Sequence, residues 1–139
     1  IYGWAGAYRQ VNVSKGDFNF AASKHIARLM EDFEKVFLHR HAPCNFKTRE
    51  RVIKALAEVH VELVLIHPFR EGNGRVARVL AILMAMQAEL PPLDFTGIVG
   101  KRKKDYIAAV QTGMERDYAP MEDIFESVIR KTLKTREQQ

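Results

Sequence analysis

The spacing of the apolar residues is the feature that most constrains the fold of this chain. From about residue 22 to residue 39, and again after Thr48, apolar residues recur at the intervals of an amphipathic helix. The first stripe consists of Ile26, Leu29, Met30, Phe33, Val36 and Phe37, and the second of Val52, Leu56, Val59, Leu63 and Ile66. Two further helices are expected at about 101–116 and 120–134. The predicted fold class is therefore all-α.

Residues 75–89 form the most hydrophobic stretch, with apolar side chains on nearly every face of the expected helix. A helix that is apolar all round is typical of a buried position. We therefore expect this helix to be central and buried. Breakers set the ends of the elements: Thr48 is a candidate N-cap, Pro68 follows the second helix, and Pro120 stands at the first position of the last one.

The segment before the first helix differs in pattern, because apolar and polar residues alternate on both sides of Lys15-Gly16-Asp17. This pattern predicts a small β-hairpin. A lone hairpin is marginally stable in water, so it must lean on helices or pair with a partner strand.

Composition fits one globular domain. The 139 residues are 47% hydrophobic and carry a net charge of +5, which favours anionic partners. The sequence begins at Ile1 without an initiator Met, so we take residues 1–139 to be an excerpt of a longer chain. Cys44 is the only cysteine, and no apolar run reaches the roughly 20 residues that span a bilayer. A cytoplasmic protein without a membrane segment is expected.

The segment from His67 to Arg78 carries the clearest chemical signal. Two glycines flank Asn73 at the start of a helix, where backbone N–H groups and the helix dipole favour an anion. Arg75 and Arg78 lie three residues apart in the first turn, a position where the dipole repels cations unless an anion is bound. The pattern favours a polyphosphate site.

Two further side chains in this segment could serve chemistry on a phosphate. Glu71 beside phosphate oxygens implies a bridging cation such as Mg²⁺. His67 could accept a proton from an attacking hydroxyl. Singly, each residue has a simpler structural explanation: a helix corner, a C-cap at His67, arginines paired with surface acids. Together they favour an anion-binding loop and make phosphoryl or nucleotidyl transfer plausible, without fixing the reaction.

The segment also resembles a known family. His67-Pro68-Phe69-Arg70-Glu71-Gly72-Asn73-Gly74-Arg75-Val76-Ala77-Arg78 matches the Fic signature, His-Pro-Phe-x-Asp/Glu-Gly-Asn-Gly-Arg-x-x-Arg, at every specified position. Similarity extends over nearly the whole chain, through Ile1–Gly6 and 11–16 near the start and 106–109 and 117–121 later. The resemblance implies a helical Fic-like bundle with a small N-terminal β-hairpin flap at about 11–22 and an active-site loop at 67–75.

The resemblance further implies a protein adenylyltransferase that moves AMP from ATP, with Mg²⁺, to a Ser, Thr or Tyr hydroxyl of a target protein. By matching position, His67 would be the base and Glu71 the metal ligand. The phosphates would be held by Gly72, Asn73, Gly74, Arg75 and Arg78. The flap, residues 14–22, would bind an extended segment of the target by strand addition.

Regulation and reaction type have their own signals within the family. Many Fic proteins carry an inhibitory helix with the pattern Ser/Thr-x-x-x-Glu-Gly/Asn, which has no match in this sequence. Such an element would lie upstream, reside on a separate antitoxin-like protein, or be absent. The related Doc branch, which phosphorylates its target, has lysine where this chain has Arg75, which favours nucleotidyl transfer. If the protein is an effector, we expect it to be delivered into a host cell instead of acting in the cytoplasm.

Several alternatives stay open at this stage. The chain could be a Fic-like module that binds nucleotide and partner without turnover, or an enzyme using another phosphate-containing donor. Tyr106 is a candidate contact for the adenine but could equally be a core residue. The basic run at 101–104 is more typical of a solvated face than of a nucleic-acid site, and nucleic acid is not an expected partner.

Overall fold

The helix Arg49–Ile66 lies at the centre of the fold and contacts the three helices that follow it. The computed structural model describes residues 2–138. Its elements are β1 (Ser14–Lys15), β2 (Phe18–Asn19), α1 (Ile26–Asp32), α2 (His39–His41), α3 (Arg49–Ile66), α4 (Asn73–Gln87), α5 (Lys101–Thr112) and α6 (Ala119–Glu137). A π-helical segment, Phe33–Leu38, joins α1 to α2, and short 3₁₀ turns stand at Ser23–His25 and Gly113–Glu115. The prediction of an all-α fold with a small hairpin is confirmed.

Helix α3 packs against α4, α5 and α6 and is buried along most of its length. Thr48 caps its start, because the Thr48 hydroxyl oxygen accepts a hydrogen bond from the Arg51 N–H at 3.1 Å. Close packing is required where the turn after α5 meets α3. A Cβ added at Gly113 would lie 2.1 Å from Cγ1 of Val61. Glycine at that position therefore leaves room for the Val61 side chain of α3.

The prediction that the hydrophobic helix after the loop is central and buried is wrong. Helix α4 contacts α3 through the small residues Ala77, Ala81 and Ala85, which recur every four residues and are buried. Met84 is buried beside them, whereas four other large apolar residues of α4 are exposed. The exposed fractions are 42% to 55% for Val76, Val79, Leu83 and Met86. The reason is geometric: small side chains allow close helix packing, whereas hydrophobicity on every face does not indicate which face meets the core.

Element boundaries differ modestly from those expected. The first helical region runs from Ser23 to His41 and contains the π-helical segment, which periodicity alone did not indicate. Helix α4 begins at Asn73, two residues before the expected Arg75. Within residues 2–138, none of the helices combines the length and apolarity needed to cross a lipid bilayer.

Hairpin β1–β2 lies next to the C-terminal end of α3. Its two strands pair antiparallel, with Ser14 opposite Asn19 and Lys15 opposite Phe18. Just after β2, the Ala21 N–H donates to the Leu65 carbonyl at 3.2 Å. The segment after the hairpin is therefore hydrogen-bonded to the last turn of α3, as the sequence analysis expected of a hairpin that is not stable alone. The same turn of α3 leads into the loop that begins at His67.

Candidate active site

His67 is the C-cap of α3 and adopts a left-handed backbone conformation, with φ of 51°. Its N–H donates to the Leu63 carbonyl at 3.1 Å, which closes the helix. The side-chain Nδ1 lies 3.3 Å from the Val64 carbonyl, an acceptor, so this nitrogen carries the proton in the neutral ring. The lone pair is then on Nε2, which is the atom able to accept a proton.

The surroundings of His67 keep its ring neutral. Burial is the largest cause that lowers the pKa of His67, and the nearby positive charges of Arg9 and Lys15 lower it further. The Phe20 ring of the hairpin stacks on the imidazole, with centroids 3.8 Å apart and planes 16° from parallel. Since the neutral form is the proton acceptor, a lowered pKa leaves His67 competent as a base at neutral pH.

Asn73 clamps the loop that follows His67. Its Oδ1 accepts from the Phe69 N–H at 2.8 Å, and its Nδ2 donates to the Phe69 carbonyl at 2.8 Å. The residue is 4% exposed. Its side chain is thus engaged with the loop backbone, and its backbone N–H, at the first position of α4, has no intrahelical acceptor. The expected contact between Asn73 and the phosphates stays a prediction.

The start of α4 has the features expected of an anion site. Gly72 is the N-cap, with φ of 83°, and no side chain caps the helix. The N–H groups of the first turn therefore have no intrahelical acceptor and can bind an anion. The guanidinium groups fold back over this turn. A Cβ at Gly72 would lie 3.3 Å from Nη2 of Arg75, and one at Gly74 would lie 3.3 Å from Nη1 of Arg78.

Neither arginine has an acidic partner among residues 2–138, where the ion pairs involve other residues. The simpler explanation of these arginines, as partners of surface acids, is therefore wrong for the described part of the chain. Two cations at a helix N-terminus without a counter-charge leave the site strongly electropositive. An anionic ligand would remove that repulsion.

A cavity of about 300 Å³ brings several of these groups together. It contains His67, Gly74, Arg78 and Tyr106 from the predicted site. Glu71, Gly72, Asn73 and Arg75 lie outside its lining. The cavity is completed by Lys15, Phe18 and Phe20 from the flap predicted to bind the target, and by residues the sequence analysis did not assign to the site: Val64 from α3, and Lys103, Ile107, Val110 and Gln111 from α5.

Tyr106 is held in the cavity wall by a buried histidine. The Tyr106 hydroxyl donates to Nε2 of His60 at 2.7 Å, and Nδ1 of His60 lies 3.3 Å from the Ala77 carbonyl. Burial lowers the pKa of His60 to about 4, so the ring is neutral and donates through Nδ1. Burial also raises the pKa of Tyr106 to about 12. Tyr106 thus packs against the core and also lines the cavity, and its contact with the adenine stays a prediction.

A metal ion bound by the described residues would need further ligands from a bound nucleotide or water. In the described residues, no group of three or more His, Cys, Asp or Glu side chains is arranged to hold a metal. Glu71 is exposed in the loop beside the α4 N-terminus. A single carboxylate combined with phosphate oxygens and water is how Mg²⁺ commonly binds at nucleotide sites. The residues present therefore fit Mg²⁺ bound together with a nucleotide.

Comparison with known proteins shows the family of this chain. The model of the Fic/DOC family matches residues 1–85, which is more than half of the chain and includes the loop. The chain belongs to the Fic/DOC family. It is similar to the probable protein adenylyltransferases Fic of Salmonella typhimurium and Escherichia coli, at 29% and 28% identity over 97% and 93% of its length. It spans 65% and 62% of those Fic proteins.

Solved Fic structures share the fold. The N-terminal Fic domain of a VirB-translocated effector protein from Bartonella quintana aligns with 99% of this chain and 70% of its own, at 25% identity and a TM-score of 0.72. The BepC effector of Bartonella tribocorum, crystallised with bound AMPPNP, aligns with 90% of this chain and 65% of its own, at 25% identity and a TM-score of 0.70. The predicted membership of the Fic family is confirmed.

Proposed function

We propose that this chain transfers AMP from ATP to a Ser, Thr or Tyr hydroxyl of a target protein. The observation that carries the proposal is that His67, Arg78 and Gly74, which lies in the uncapped first turn of α4, line one cavity. This arrangement supplies a base for the hydroxyl and an electropositive cradle for the phosphates. Relatives named protein adenylyltransferases support the same reaction.

In the reaction, Nε2 of His67 accepts the proton of the target hydroxyl as its oxygen attacks the α-phosphorus of ATP. A new oxygen–phosphorus bond forms, the bond from the α-phosphorus to the bridging oxygen breaks, and pyrophosphate leaves. The first-turn N–H groups of α4 and the guanidinium groups of Arg75 and Arg78 would stabilise the phosphate charge. Glu71 would hold Mg²⁺, which supplies charge neutralisation on the phosphates when bound. The BepC structure with bound AMPPNP supports nucleotide binding by this fold.

The target would bind along hairpin β1–β2. A two-stranded hairpin leaves unpaired backbone groups at its edges, and these can pair with an extended peptide. Phe20 of the hairpin stacks directly on His67, so a segment bound at the flap, residues 14–22, would lie close to the base. A separate antitoxin-like inhibitor is a further proposed partner. The Bartonella relatives are described as translocated effectors, and action in a host cell is the corresponding proposal beside cytoplasmic action.

The test uses purified protein, Mg²⁺ and ATP labelled at either the α- or the γ-phosphate, with cell lysate as the source of targets. We expect label on protein from α-labelled ATP only, and its loss with His67→Ala. Label from γ-labelled ATP alone would replace nucleotidyl transfer with phosphorylation. ATP binding measured by calorimetry without any label transfer would replace the enzyme with a binding module.

A donor screen separates the remaining possibility. The same assay with other labelled nucleoside triphosphates and phosphodiester nucleotides should give less label than ATP at equal concentration. A different donor giving more label would keep the fold and the site but change the assigned substrate.

A further inference from the structure

Arg9 is a buried arginine that the sequence pattern does not single out. Its side chain is 5% exposed, and it has no acidic partner in the described part of the chain. Its guanidinium instead donates to four backbone carbonyl oxygens. They are those of His67 (2.6 Å), Val11 (2.8 Å), Ala21 (2.5 Å) and Ile66 (3.1 Å). The Arg9 N–H adds a fifth bond, to the Pro68 carbonyl at 3.0 Å.

These carbonyls belong to two parts of the molecule that must act together. Val11 precedes hairpin β1–β2 and Ala21 follows it, so Arg9 binds both ends of the flap. Ile66 and His67 are the last residue and the C-cap of α3. Carbonyls at a helix C-terminus have no intrahelical donor, and a positive charge there is favoured by the helix dipole. The Arg9 side chain thus donates hydrogen bonds both to the carbonyls at the end of α3 and to those at the two ends of the flap.

Arginine is suited to this position in a way that lysine is not. The guanidinium presents five N–H donors in a rigid, planar fork, whereas an ammonium group has three donors on a flexible stem. Four carbonyls in different directions need the fork. Leaving any of them buried without a donor would be unfavourable. The bond to the His67 carbonyl also stabilises the left-handed backbone that orients the imidazole.

We propose that Arg9 is a positioning residue that fixes the flap relative to His67, so that a target bound on the flap presents its hydroxyl to Nε2. This inference rests on the proposed transfer reaction. Arg9 does not line the cavity that contains Arg78 and Tyr106. Its loss should therefore affect the alignment of target and base, and leave nucleotide binding in place.

The test compares Arg9→Lys and Arg9→Met with matched substitutions at Arg130, which lies on α6 with its side chain 73% exposed. Amide hydrogen exchange is measured at Phe20 and Ala21, whose N–H groups bond to the Val13 and Leu65 carbonyls, and along α6. Steady-state transfer to the target gives kcat and the KM for ATP.

We expect faster exchange at Phe20 and Ala21 in both Arg9 variants, with exchange along α6 unchanged. We expect kcat to fall by roughly 10²-fold, as for a misplaced reacting group, with the KM for ATP within about twofold of wild type. Both Arg130 variants should match wild type. Arg9→Lys keeps the positive charge, so it provides a folded variant for comparison if Arg9→Met does not fold.

Unchanged kcat in Arg9→Lys and Arg9→Met, or exchange that rises equally along α6, would overturn the proposal. If the wild-type protein transfers nothing, the proposed function fails by itself. Exchange at Phe20 and Ala21 still decides in that case whether Arg9 holds the flap, because it is measured without turnover.

Discussion

Asn73→Ala tests whether the central asparagine of the loop acts as a clamp. The substitution removes the two 2.8 Å hydrogen bonds to the Phe69 N–H and carbonyl. Each bond contributes about 1 kcal/mol net, and a desolvated backbone group left without a partner costs about 1–3 kcal/mol. Phe69 is half-buried, so water recovers part of this loss. We expect the free energy of unfolding to fall by about 2–4 kcal/mol, or roughly 10 °C in Tm.

The assay is urea and thermal unfolding followed by circular dichroism, together with ATP affinity by calorimetry. Asn45→Ala is the matched control, since Asn45 is an exposed loop residue. Asn73→Asp retains the acceptor for the Phe69 N–H but places an oxygen against the Phe69 carbonyl, so we expect an intermediate loss of stability. Unchanged stability in Asn73→Ala combined with lost ATP affinity would refute the clamp and assign the side chain to the phosphates.

Three further substitutions follow from single contacts. Phe20→Ala removes the ring that stacks on His67, so hydration of the imidazole should raise the pKa of His67. Activity requires the neutral imidazole, so a pH–rate profile should show activity falling on acidification at a higher pH than in wild type. Gly113→Ala places a methyl group against Val61 and should cost about 1–3 kcal/mol in urea unfolding; a neutral result would contradict the close contact. Thr48→Ala should cost about 1 kcal/mol of stability by loss of the N-cap, and unchanged unfolding would contradict that cap.

Local signals in the sequence were sufficient for most of the fold. Thr48 and Pro68 bracket α3 because capping and proline effects act within a few residues. The orientation of α4 was not predictable in the same way. Its alanines and its larger apolar residues are equally compatible with a buried stripe, and only the packing partner decides which side faces inward. Here α3 meets the alanine side, at Ala77, Ala81 and Ala85.

The residues of the candidate site also differ in whether the sequence could predict them. The loop from His67 to Arg78 was predictable because its glycines, arginines and helix start are contiguous in sequence. Arg9 was not, because its acceptors are backbone carbonyls that any residue supplies, and His67 lies 58 positions away. Lys15 and Lys103 reach the cavity only because the hairpin and α5 are folded against it. The clamp at Asn73 was not predictable either, because the sequence spacing equally suggested a contact between Asn73 and the phosphates.

The central claim is that Nε2 of His67 is the base for AMP transfer, and His67→Asn tests it most directly. Asparagine tolerates the left-handed backbone and can donate to the Val64 carbonyl, yet it lacks a group equivalent to Nε2. Tandem mass spectrometry of a target incubated with ATP and Mg²⁺ would detect the adduct on its side chain. The account predicts an AMP-modified hydroxyl with wild-type protein and none with His67→Asn, at equal ATP affinity. AMP transfer by His67→Asn at the wild-type rate would contradict it.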